Sequence, residues 1–258
     1  MTFKERKDLP VYNPDVRVWE VFDADGKSLA LYYGDYFQRA QQERRRVGRQ
    51  LRGPVVPSRH ETRSSSTYST SPSRRRGSRR CLSFDDVGAL FHEFGHALHG
   101  MLLERQVPDA RGHTPRDFVE FPSQFNEHWA LEPGGLRAIY AQALQDRRAD
   151  ARRRWSTRSR RPSTFNQGYM TTEYLAAALL DMAWHTLSGR RAAPDVDAFE
   201  KAALRRFHVD CAQVPPRYRT TYFSHIWGGG YSAGYYAYLW SGADRRRRVL
   251  LVPGARRA

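Results

Sequence analysis

Cysteine is almost missing from this chain of 258 residues, with Cys81 and Cys211 the only two. Two thiols cannot build a disulfide framework, so the fold must rest on a packed core, and a reducing compartment is the expectation. Lysine is nearly as scarce, at Lys4, Lys7, Lys27 and Lys201 only. No apolar run reaches the ~20 residues of a membrane-spanning helix. The opening MTFKERKDLPVYNPDVRVWE lacks the apolar stretch of a secretion signal. The expectation is a soluble, cytoplasmic chain without membrane contact. No internal repeat is visible.

What is abundant is arginine. Basic residues number 43 against 27 acidic ones, for a net charge of +16. The arginines cluster in RRRVGRQLR, SRRRGSRR, RRADARRRWSTRSRRP and DRRRRVLL. Such a balance ordinarily points to a polyanion, and a nucleic-acid-binding protein is the reading from another class that it raises. No nucleic-acid-binding motif accompanies it; a steep salt dependence of DNA or RNA affinity would support that reading. Hydrophobic residues at 40% and aromatics at 13% suffice for a core.

The charge is unevenly spread, and the pattern divides the chain. Residues 1–38 read as a β-hairpin, with alternation through Val16, Val18 and Val21, a turn at DADGK and a second strand in SLALYYGDYF. Residues 39–81 are rich in Arg and Ser with few large aliphatics, which reads as disordered or linker sequence. Residues 82–241 carry most of the helical periodicity, and 242–258 form an arginine-rich tail. In SFDDVGALFHEFGHALHGML, Ser83 is an N-cap with Asp86 three residues on. Val87, Leu90, Phe91, Phe94, Ala97, Leu98 and Met101 keep a helical period. PRDFVEFPSQFNEHWALE reads as helix interrupted at Pro122. Residues 104–114 read as loop, and LRAIYAQALQ as a short helix. TTEYLAAALLDMAWHTL reads as a buried helix capped by Thr171 or Thr172, and DAFEKAALRRF as an amphipathic one. The fold class expected is mainly α with a small N-terminal hairpin.

The chemistry concentrates in His92-Glu93-Phe94-Gly95-His96. Residues four apart share a helix face, so both imidazoles can reach one ion, and zinc accepts such nitrogens. Glu93, one step round the helix, stands where a general base for a zinc-activated water belongs. The alternative is two histidines without a shared role; a chance match in a chain this long is on the order of one in a hundred. Catalytic zinc ordinarily takes a third protein ligand. Glu120 is a candidate, on a segment that can form a second helix facing the first. Its neighbours Ser123, Gln124 and Glu127 share its face, and Glu127 or Asp117 could brace a ligand histidine. His99 and His113 compete for the third position but read better as solvated or cap residues. Downstream, SHIWGGGYSAGYYAYLW sets three glycines before Tyr231, Tyr235, Tyr236 and Tyr238. Phenols there could donate to an oxyanion, or simply pack as an amphipathic surface; composition leaves both open.

The segments FHEFGHALHG, PRDFVEFPSQFNEHWA, FNQGYMTTEYLAAALLDMAWH and VPPRYRTTYFSHIWGGGYSAGYYAYLW, in this order, resemble the thimet oligopeptidase family of zinc metallopeptidases. PPRYR ahead of HIWGGGY resembles its bacterial peptidyl-dipeptidase branch, and the hairpin RVWEVFDADGKSLALYYGDYF also looks like the family's. The resemblance implies a zincin-like helical catalytic region, with one zinc per chain on His92, His96 and Glu120 and with Glu93 as base. It implies that His225, Tyr231 and Tyr238 contact substrate and stabilise the transition state. It implies a deep channel that admits short unstructured peptides, dipeptides released from free C-termini, and a monomer. A guanidinium suits a carboxylate, so Arg217 or Tyr218 is expected at the substrate's C-terminus.

The chain departs from the family in two ways. It lacks the long N-terminal helical region and ends soon after Trp240. Its arginine-rich stretches, about 39–81, 104–113, 133–164 and 241–258, fall where the resemblance fails. One hypothesis makes them out-of-frame translations of a GC-rich gene. Family-like sequence in another frame of the DNA opposite 39–81 or 133–164 is then expected, and its absence there would remove the idea. The alternatives to a working peptidase are therefore a degraded or inactive fragment of one and, from the charge, the nucleic-acid binder.

Overall fold

The computed structural model describes residues 1–38, 47–50, 63–72, 83–102, 114–130, 165–188 and 195–249. The chain divides into two compact units. The first comprises 1–115, 119–132 and 245–258; the second comprises 116–118 and 133–244. Helices account for about half of the described residues and outweigh the strands, which lie near the N-terminus. No helix among the described residues is long and apolar enough to cross a membrane.

In the first unit, β1 (Thr2–Glu5), β2 (Arg17–Phe22) and β3 (Ser28–Gln38) form an antiparallel meander. The turn between β2 and β3 needs a left-handed residue, and Gly26 supplies it at φ 80°. The expected hairpin is therefore present. It is part of a larger sheet of order β1-β2-β3-β5-β4, in which β5 (Arg63–Pro72) runs parallel to β3 and β4 (Val47–Gln50) pairs antiparallel with β5. Both added strands fall inside 39–81, which composition alone reads as disordered or linker. Main-chain pairing with β3 asks little of side chains, and a Thr/Ser/Tyr run satisfies it without an apolar alternation. The rest of that segment, the 104–113 loop and the helix in LRAIYAQALQ lie outside the described residues.

Helix α1 (Phe84–Leu102) begins as expected. Asp86 N–H donates to Ser83 Oγ at 3.1 Å, while Ser83 N–H and Oγ–H donate to Asp86 Oδ2 at 3.1 and 2.7 Å. That is a reciprocal capping box with aspartate in the acid position. Its apolar stripe lies on the sheet: Ala97 and Met101 are buried with Val21, Ala30 and Tyr32, and Trp19, Leu29, Phe94 and Leu98 close the cluster. Tyr32 and Phe94 meet edge to face at 5.4 Å. Helix α2 (Arg116–Ala130) passes through Pro122 without the expected interruption.

The second unit is helical. Helix α3 (Gln167–His185) starts four residues before Thr171, after Asn166 at φ 55°. Neither Thr171 nor Thr172 is its cap, because asparagine accepts the left-handed conformation that turns the chain into the helix. Helix α4 (Val196–Arg206) is capped by Asp195, which accepts from Ala198 N–H at 2.7 Å. A 3-10 turn (Thr220–Tyr222), the short α5 (Ser224–Trp227) and α6 (Ala237–Val249) follow. Helix α6 continues into the stretch set apart as a tail. The core joins Ala177, Ala178, Phe223, Ile226 and Tyr235, with Tyr174, Tyr218 and Tyr238 against them.

Candidate metal centre

The first unit assembles the histidine pair and the carboxylate. His92 and His96 stand one turn apart on α1 with ring centroids 4.9 Å apart. Nε2 of each lies 3.2 Å from the same oxygen, Oε2 of Glu120. The three ligand atoms lie within 4.8 Å of one another. Two imidazole nitrogens and a carboxylate oxygen converging on one point are a donor set suited to zinc. His99 is not in the cluster, and His113 lies outside the described residues.

The other ring nitrogen of His92 is also engaged, Nδ1 meeting Glu127 Oε1 at 2.6 Å. With Nδ1 engaged by that carboxylate, Nε2 is the nitrogen turned toward Glu120 and the one that would bind a metal. Glu127 thus takes the bracing position for which sequence offered Glu127 or Asp117. Burial by itself would lower the His92 pKa, but hydrogen bonds to Glu120 and Glu127 outweigh it and raise it to about 10. Burial likewise pushes the Glu120 carboxyl up, while bonds from His92 and His96 hold it far below the usual carboxylate range.

The closeness of α1 and α2 produces this convergence. Gly95 lies against α2 so tightly that a Cβ there would stand 2.6 Å from Ser123 Cα and 2.7 Å from Pro122 O. Asn126 Nδ2–H donates to the Phe91 carbonyl at 2.7 Å, tying the helices across the gap. Ser123, fully buried, has Oγ 2.8 Å from the Glu120 carbonyl and 3.0 Å from Glu120 Oε2, so its hydroxyl steadies the Glu120 carboxylate. Glu93 sits on α1 between the two histidines and is 7% exposed.

The second unit gathers the other expected residues. Tyr231 and Tyr238 stack at 5.3 Å, and His225 lies 6.2 Å from the first ring and 6.3 Å from the second. Tyr218 contacts His225 at 4.8 Å and stacks on Phe223 at 5.1 Å. Arg217 pairs with Glu173 at 3.4 Å, half exposed. A different guanidinium, Arg116, lies 4.6 Å over the Tyr231 ring. Gly230, at φ 78°, admits it, since a Cβ there would stand 2.5 Å from Arg116 Nη2.

A family model for peptidase family M3 matches residues 1–243. The chain belongs to peptidase family M3. As an M3 chain it is 47% identical over 246 residues to a dipeptidyl carboxypeptidase of Salmonella typhimurium (strain LT2), covering 93% of this chain and 35% of that protein. The Escherichia coli (strain K12) dipeptidyl carboxypeptidase is 47% identical over 241 residues with the same two coverages. Oligopeptidase A of the same strain is 32% identical over 260 residues, covering 93% of this chain and 36% of its own length. The chain thus spans about a third of the length of these curated relatives. The family match runs across the arginine-rich stretches 39–81, 104–113 and 133–164.

Four residues that support these groups carried no role in the sequence. Gly95 and Asn126 carry no chemistry of their own and declare themselves only through the contact between helices. Glu200, 4% exposed, accepts from Arg219 Nε at 2.6 Å and from Thr220 N–H and Oγ1 at 2.9 Å each, fixing the turn before α5 and His225. Asp181 is fully buried in α3. An acid amid LAAALLDMAWH was the available signal, since an unpaired carboxylate is not buried among alanines and leucines.

Proposed function

We propose that this chain is the zinc-binding catalytic region of a peptidase acting on short peptides and releasing dipeptides from their C-termini. The observation that carries it is the convergence of His92, His96 and buried Glu120, with Glu127 on the outer nitrogen of His92. The likeness to two dipeptidyl carboxypeptidases supports the finer assignment. His92, His96 and Glu120 would hold one zinc ion, which when bound would supply Lewis-acid polarisation of a carbonyl and a water of lowered pKa. Glu93 takes the proton from the attacking water and delivers it to the departing amine. Tyr231 and Tyr238 donate phenolic hydrogen bonds to the oxygen that gains charge, and His225 contacts the same substrate. Arg217 or Tyr218 receives the terminal carboxylate.

The test is zinc stoichiometry on the purified chain together with hydrolysis of an N-blocked short peptide and its C-terminal amide. One zinc per chain and preferential cleavage of the free acid are expected. Absence of zinc would refute the metal site. Zinc without cleavage would refute the activity of this chain. Arg217→Ala is expected to erode the preference for the free acid by roughly tenfold or more, and an unchanged preference removes Arg217 from that role.

Glu127→Ala is expected to weaken zinc binding by ~10–100-fold, the usual cost of losing a ligand's hydrogen-bonding partner. Competition with a chromophoric chelator measures it. Wild-type affinity in the variant would show that the 2.6 Å contact with His92 does not support the ligand.

A further inference from the structure

Between Tyr231 and Tyr238 the chain makes a tight loop whose amides point at one buried carboxylate. Asp181 Oδ1 accepts from Ala233 N–H and Oδ2 from Tyr235 N–H, both at 2.9 Å. His185 Nδ1 lies 2.8 Å from Asp181 Oδ1 and 2.9 Å from its carbonyl oxygen, which orients the carboxylate from one turn along α3. Ala233 is left-handed, at φ 52°, a conformation that alanine adopts only when its surroundings impose it. The Tyr174 hydroxyl donates to the Tyr235 carbonyl, and Tyr231 N–H donates to the His225 carbonyl at 2.9 Å. Ionised carboxylates bond amides about twice as strongly as neutral acceptors do, and one that bonds two amides fixes both direction and register.

We propose that Asp181 is a positioning residue for the reaction. By holding the amides of Ala233 and Tyr235 it sets the loop that presents Tyr231 on one side and Tyr238 on the other, stacked face to face. The carboxylate touches no substrate and acts only through the two phenols. The inference rests on the peptidase reading for what the phenols do, but the holding of the loop does not depend on turnover.

Asp181→Asn replaces one acceptor oxygen with an N–H₂ that faces an amide donor, so one loop bond is lost with little change in volume. In the full zinc-loaded chain, kcat is expected to fall by about tenfold or more with KM within about threefold. Zinc content stays at the wild-type value. In a Tyr231→Phe/Tyr238→Phe background the same substitution is expected to cost at most about twofold more, because residues acting as one unit are not additive. Full additivity overturns the proposal, since a merely structural defect would multiply through. Amide exchange at Ala233 and Tyr235 is the second readout, expected to accelerate by about tenfold or more in Asp181→Asn. Unchanged exchange also overturns it. If the wild-type chain cleaves no peptide, the peptidase reading fails and exchange alone decides the positioning. Should Asp181→Asn not fold, His185→Gln carries the same test: it keeps the carboxylate but removes the group that orients it, and about threefold in kcat with the same non-additivity is expected.

Discussion

Glu93→Gln is expected to leave zinc in place and abolish most peptide cleavage, lowering kcat by roughly 10²–10⁴-fold. The change is isosteric and removes the capacity to take up a proton, together with the charge and one acceptor oxygen. The converging donors are His92, His96 and Glu120, so zinc affinity should remain within about threefold of wild type. Glu93 is 7% exposed. Glutamine keeps the shape of this buried side chain between the two histidines but has no basic oxygen to take a proton, so retained zinc with lost cleavage would assign the proton transfer to Glu93. Metal analysis and single-turnover cleavage of a blocked peptide, on the same preparation, separate the possibilities. Cleavage at the wild-type rate would remove Glu93 as the base. Loss of zinc together with activity would make it a support of the site.

The histidine pair of the candidate metal centre was legible in the sequence because everything that sets it is a local pattern. A reciprocal cap, a helical apolar stripe and two histidines four apart all follow from one helix, and the structure has all three in α1. Glu120 came from resemblance; from the residues alone it was a candidate on a second helix. That the helices approach closely enough to bring it 3.2 Å from both rings depends on Gly95, Ser123 and Asn126. The helical period puts Ser123 on the face of Glu120, but nothing marks the parts of Gly95 and Asn126, whose role exists only between elements. The same limit applied to the sheet. Strand β5 is a Ser/Thr run without alternation, and its pairing with β3 joins residues more than thirty positions apart. In the second unit, composition raised Tyr231, Tyr235, Tyr236 and Tyr238 together and only the resemblance singled out Tyr231 and Tyr238, while Asp181 and Glu200, the buried acids that hold the backbone around them, were raised by neither. Buried carboxylates of this kind are chosen by the backbone donors they meet, which sequence order does not reveal.

Two glycines of α1 give the sharpest test of this packing, because helix propensity predicts the same result for both and the structure predicts opposite ones. Glycine inside a helix costs ~1 kcal/mol relative to alanine. Among the described residues a Cβ added at Gly88 would meet nothing within 4 Å, so Gly88→Ala should raise stability by ~0.5–1 kcal/mol and leave zinc affinity alone. At Gly95 a Cβ would stand 2.6 Å from Ser123 Cα, 2.7 Å from Pro122 O and 2.9 Å from Asn126 Cβ. Two of these neighbours are backbone, which cannot swing aside, so α2 must shift as a body. Overpacking of this kind costs ~1–3 kcal/mol, which exceeds the gain in propensity. The shift also carries Glu120 away from His92 and His96 and strains the Asn126 bond to the Phe91 carbonyl. Because a displacement of the order of 1 Å is enough to spoil a ligand set, zinc affinity should fall by ~100-fold or more. Thermal unfolding with and without a chelator, beside a zinc titration of both variants, reads the two effects separately. If Gly95→Ala melts and binds zinc as Gly88→Ala does, the close seat of α1 on α2 does not hold the site together.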